Sequence, residues 1–149
     1  MSQYYDLGAE TLWNPSQGAS RAFRRHVALH EAELGVPSGI GPMVNDECRI
    51  DPAVFAVFVD ALLARHRRTR HAVLLALSEG FTATVLALAL RAGVDIRWDQ
   101  PPTGPNGELR DLQLPYPFGM PRTPGAVEGP GWADGLRERA REPDRHMAR

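Results

Sequence analysis

Lysine is absent from this chain: all 17 of its Lys+Arg residues are arginine. That excludes a Schiff-base lysine and the lysine of a phosphate-binding P-loop. GC-rich coding accounts for arginine standing everywhere in lysine's place. Cysteine is almost absent too. Cys48 stands alone, so no intrachain disulfide and no all-cysteine metal site can form. A single thiol is compatible with a reducing cytoplasm. Neither sign of charge dominates: the net charge is −1, which gives no broad electrostatic case for nucleic acid or for an acidic membrane surface. The opening stretch MSQYYDLGAE lacks the basic region and apolar core of a signal peptide, so a cytoplasmic, soluble protein is expected.

Diagnostic catalytic motifs are missing as well. The glycines of GVPSGIGPM fit neither GxGxxG nor GxxxxGK. The HExxH pattern is not completed: Glu31 follows His30, but Leu34 stands where its second histidine would be, and no third histidine lies close downstream. Ser78 sits in an apolar run rather than on the sharp turn of GxSxG. Cys48 has no histidine at a diagnostic offset. The sequence names no cofactor.

What is present is a long apolar stretch, RHAVLLALSEGFTATVLALALRA, from Arg70 to Ala92, closed by Gly93. Its length fits a helix and not a strand. Ser78, Glu79, Gly80, Thr82 and Thr84 interrupt it, which argues against a membrane span. Leu77, Phe81, Val85 and Leu88 fall on one face, and a helix apolar nearly all round is expected at the centre of a bundle.

Two further helices precede it. Asn14-Pro15 is a cap-and-proline start for a first helix that runs to about Leu34, before Gly35. Asp51-Pro52 repeats that start for a second, with Val54, Phe55, Phe58, Val59, Leu62 and Leu63 on its buried face. Between them GVPSGIGPMVNDECRI reads as a long loop. The basic knot from Arg65 to Arg70 favours the end of the second helix through its dipole.

The fold expected is therefore mainly α: three long helices in a bundle (residues 1–98) plus a short C-terminal helix (132–142), ended by Pro143. A small extended N-terminal element pairs in this reading with the alternating residues 94–98. The proline- and glycine-rich segment 99–131 packs on the bundle or on a partner through Leu112, Leu114, Tyr116, Phe118 and Met120. At 149 residues the whole is one domain.

The candidate site comes from polar residues on apolar faces. His26 and His30, four apart, point the same way from the first helix among Phe23, Val27 and Leu34. His66 falls on the apolar face of the second helix. Ser78 and Glu79 lie on a polar stripe of the third. In an up-down-up stack Glu79 comes level with His26, giving two histidines and a carboxylate, the ligand type of several zinc and iron sites. His66 then lies too far along the axis; parallel first and second helices would instead bring it level with His30 and Glu33. Each of these residues also has an ordinary role open to it, as a hydrogen-bonded core histidine or a solvated face.

The stretches MSQYYDLGAETLWNPSQG, GVPSGIGPM, DPAVFAVFVDALLA and HAVLLALSEG together resemble a family of short actinobacterial proteins of unknown function. The resemblance covers residues 1–98 and supplies no catalytic residues. It implies a bacterial cytoplasmic helical domain.

The leading expectation is a small-molecule-binding bundle, with an enzyme of bacterial secondary metabolism as its catalytic form. His26, His30 and Glu79 would be its acid-base groups, and Trp13, His66 and Ser78 would line the pocket. Trp13 and the tail would form the lid. The alternative is a non-enzymatic protein-interaction module, an immunity or regulatory protein, using the arginine knot and the tail. A second alternative is a metal site of His26, His30 and Glu79. The expected partners are a small molecule or a protein, including a second copy of the chain, and neither nucleic acid nor a membrane.

Overall fold

A computed structural model describes residues 2–69, 71–98 and 131–148, with side chains from 133 in the last stretch. Its elements run β1 (Tyr4–Leu7), β2 (Glu10–Trp13), α1 (Gln17–Leu34), β3 (Glu47–Arg49), α2 (Pro52–Arg68), α3 (Ala72–Arg91) and α4 (Gly131–His146). The described residues thus form an α+β arrangement of four helices and a three-stranded mixed sheet, not a bundle of three long helices. The expected segment 99–131 and its apolar anchors lie outside the described residues, apart from the backbone at the start of α4.

The sheet has the order β2-β1-β3, with β1 antiparallel to β2 and parallel to β3. Gly8, at φ 62°, makes the turn between β1 and β2, where Leu7 pairs with Glu10. The third strand comes from the stretch that reads as a long loop. Asn45 and Asp46 both take positive φ, and Val44 and Glu47 exchange both backbone hydrogen bonds across them. That two-residue turn delivers Cys48 beside Tyr5. Residues 94–98 form no strand: Val94 N–H bonds the Ala89 carbonyl, continuing the end of α3.

Helix starts follow local chemistry. Ser16, not Asn14, caps α1: its hydroxyl accepts from Ala19 N–H, and Gly35 at φ 68° ends the helix. Asp51 caps α2 by accepting from Ala53 and Val54 N–H, with Pro52 as the first helical residue. Gly39 lies so close to this cap that an added Cβ would stand 2.6 Å from Phe55 N and 2.8 Å from the Asp51 carbonyl oxygen. Only glycine lets the loop hydrogen-bond there, Asp51 N–H to the Gly39 carbonyl.

The core joins the sheet to the helices through Tyr5, Leu12, Phe23, Phe55, Phe58, Val85, Leu86 and Leu88. The third helix is half inside it. Its buried residues begin at Phe81, whereas Leu77, expected in the core, is 69% exposed and Val73 is 54% exposed. By length and composition alone α3 could cross a membrane; eight of its residues are instead buried in this fold.

Against α3 lies α4, burying Ala133, Leu136 and Ala140 at helical spacing. It does not stop at Pro143 but continues to His146. An interior proline ordinarily costs about 3 kcal/mol. Here the final turn is held from outside. The Arg91 guanidinium donates to the Asp144 and Met147 carbonyls, and Asn14 N–H donates to the Ala148 carbonyl.

Candidate functional site

Where α1, α3 and the end of α4 meet, they leave an open groove of about 520 Å³. Trp13, Phe23 and Phe81 are its aromatic surface, and Leu77, Ala76, Ala19 and Met147 extend the apolar lining. Its polar lining is His26 from α1, Thr84 from α3 and His146 from α4. Volumes of 300–1,000 Å³ with a mostly apolar lining and few polar groups are typical of small-molecule sites.

The aromatic surface is rigid because it is cross-packed. Trp13 stacks on Tyr5 at 5.2 Å between ring centroids and meets the Phe23 ring edge-on at 5.3 Å. Phe23 touches Phe81 at 5.7 Å. Tyr5 is fixed in turn by a 2.8 Å hydrogen bond between its hydroxyl and that of Ser20. Burial pushes its phenol pKa upward, so it stays protonated.

The far wall depends on Arg91. Its side chain is only 10% exposed. It donates to the Leu12 carbonyl in β2, to the Asp144 carboxylate, and to two carbonyls at the end of α4. One guanidinium thus ties the strand that carries Trp13 to the turn that carries His146.

The residues singled out in the sequence are dispersed. Trp13 and His26 reach the groove. His30 does not: it is 3% exposed and lies behind Phe81, ring to ring at 4.1 Å. Its Nδ1–H donates to the His26 carbonyl at 2.8 Å, which fixes the tautomer. Burial lowers its pKa, so the ring is neutral near pH 7. Glu79 turns away to an ion pair with Arg139 of α4. Ser78 bonds back to the Leu74 carbonyl at 2.7 Å, a helix-internal contact.

His66 is half-buried at the end of α2, and its Nδ1 has no hydrogen-bond partner among the described residues. Desolvation and the charge of Arg139 both lower its pKa. The triad of His26, His30 and Glu79 is therefore not assembled. Among the described residues no three His, Cys, Asp or Glu side chains are grouped to hold a metal ion. Cys48 is inert as a nucleophile: burial raises its thiol pKa to about 11, and it donates to the Gly41 carbonyl.

Three groove residues were out of reach of the sequence reading. Phe81 reads as core, and it is buried, with one face on the groove. His146 and Met147 lie beyond Pro143, where a helix is expected to stop. A signal was nevertheless there. Leu136, Ala140, Pro143 and Met147 keep one helical face if the periodicity is carried through the proline.

The chain belongs to the family of unknown function DUF6086. The family matches residues 1–149, so it takes in the stretch beyond Trp98, whereas the resemblance in the sequence covers residues 1–98. Its defining length thus includes α4, which closes the groove. No curated protein and no solved structure matches the chain.

Proposed function

We propose that this DUF6086 protein is a small-molecule-binding protein and that the groove between α1, α3 and α4 is its site. The observation that carries the reading is the groove's make-up: Trp13, Phe23 and Phe81 form the apolar surface, and His26 and His146 are the titratable groups lining it. The ligand would be held by its apolar body, since burying apolar surface contributes about 25 cal/mol per Å². The imidazoles would orient it. The reading is one of recognition: Glu79, the carboxylate expected beside the histidines, is instead engaged by Arg139.

The test uses Gly80. It lines the groove, and a Cβ there would meet nothing within 4 Å. Gly80→Phe therefore puts a ring into the groove without displacing the core. Replacing an interior helix glycine also favours the helix by some tenths of a kcal/mol. The neutral dye N-phenyl-1-naphthylamine is titrated against both proteins and its fluorescence followed. The expected result is saturable binding to the wild type and loss of at least tenfold in affinity in Gly80→Phe, a change of about 1.4 kcal/mol. Equal binding to both would place the dye elsewhere and contradict the reading.

A second reading, a non-enzymatic interaction module, is favoured by Val73 and Leu77, which stand exposed on α3. A protein that is monomeric, or whose self-association is unaffected by Val73→Asp, would count against a second copy of the chain as the partner there.

A further inference from the structure

We infer that the groove selects amphipathic organic anions: ligands with an apolar, ring-sized body and one acidic group. The inference rests on the small-molecule reading above and adds the ligand's chemical class. It follows from where charge and dipoles stand around the groove.

Among the described residues no carboxylate lines the groove. The part of α1 that lines it, from Ala19 to His26, carries no Asp or Glu, and its Arg21, Arg24 and Arg25 are exposed to solvent outside the lining. Ala19, in its first turn, lines the groove, which places the positive end of the helix dipole beside the site.

The opposite wall should repel an anion, because it is the C-terminal end of α4. Four of the carbonyls there are engaged. The Asp144 and Met147 carbonyls accept from Arg91, the Ala148 carbonyl from Asn14 N–H, and the Pro143 carbonyl from Met147 N–H. The Asp144 carboxylate is likewise occupied by Arg91. The carbonyl of Gly80, the remaining backbone group of note on α3, accepts from the Thr84 hydroxyl at 2.8 Å. Among the described residues the lining offers two imidazoles as donors, those of His26 and His146, on separate helices. An acidic group meets them while the apolar body lies on Trp13, Phe23 and Phe81.

A matched pair of probes tests this. 8-Anilinonaphthalene-1-sulfonate and N-phenyl-1-naphthylamine share one aromatic body and differ in the sulfonate. Both are titrated against the wild type and against the double variant His26→Gln, His146→Gln. The measured quantity is the ratio of their dissociation constants. The wild type should prefer the sulfonate about tenfold, the scale of one charge-assisted hydrogen bond. That ratio should fall toward unity in the double variant and shrink in about 0.5 M salt, where charge is screened within a few ångströms.

Equal affinities in the wild type, or a preference that the double variant retains, would overturn the anion assignment and leave the apolar site standing. Failure of both probes to bind the wild type would overturn the small-molecule reading, and the anion assignment with it. Circular dichroism of the double variant, expected to match the wild type, separates loss of selectivity from loss of fold.

Discussion

The His30 ring lies face to face with Phe81, 4.1 Å between centroids, while its Nδ1–H is spent on the His26 carbonyl. This makes His30 part of the core that backs the groove, not a ligand inside it. His30→Ala removes a buried ring and opens a cavity behind Phe81. Urea unfolding should report a loss of about 2–5 kcal/mol, as for other large-to-small core changes. A loss well below 1 kcal/mol would mean that the ring is not packed as described.

Acid should weaken the fold through His30 and His66. Burial holds both pKa values below the ordinary histidine value, and at His66 the Arg139 charge adds to it. The unfolded chain therefore takes up these protons first, near pH 6.5, while the folded chain resists them. Stability from both groups is complete above that pH. It is lost as the pH falls toward the depressed folded values, at no more than about 1.4 kcal/mol per pH unit for each proton. Urea midpoints followed from about pH 8 to pH 5 should drop in this window. The slope should be shallower in His66→Gln; a midpoint that rises on acidification contradicts the sign.

The two halves of α3 should respond differently to truncation. Leu88 is fully buried and Leu77 largely exposed. Leu88→Ala should cost about 2–5 kcal/mol and Leu77→Ala less than about 0.5 kcal/mol. Similar large losses at both positions would put the first half of α3 in the core after all.

Arg91 should matter beyond its charge. It is the shared donor of β2 and the end of α4, and its head is nearly enclosed. Arg91→Lys keeps the charge but cannot span those acceptors in one plane. Both Arg91→Lys and Arg91→Ala should destabilise the protein, by about 2–3 kcal/mol for the alanine variant. Hydrogen exchange should speed up first at Asn14 N–H and Met147 N–H, whose acceptors lie in the clamped segment. Unchanged exchange there would contradict the clamp.

Helices were legible in the sequence because their signals are local. Asp51-Pro52 and Gly35 mark their ends as caps do, and the apolar face of α2 is the one that buries Phe55, Phe58 and Leu62. The sheet was hidden because its signal is not local. β3 is three residues, Glu-Cys-Arg, and is a strand through pairing with β1, more than forty positions earlier. Burial along α3 was hidden for the opposite reason: apolar all round, it has no face that its own sequence marks as inner. The same gap misdirected the site. Glu79 was placed level with His26 by axial position alone, and α4, whose Arg139 captures it, enters from the far end of the chain.

The most direct measurement is an amide chemical-shift map of ¹⁵N-labelled protein titrated with 8-anilinonaphthalene-1-sulfonate. The groove account predicts perturbations concentrated at lining residues such as Trp13, Ala19, Phe23, His26, Ala76, Leu77, Gly80, Phe81, Thr84, His146 and Met147. Shifts gathered instead around His66, Glu79 and Arg139, or spread along the sheet, would contradict it.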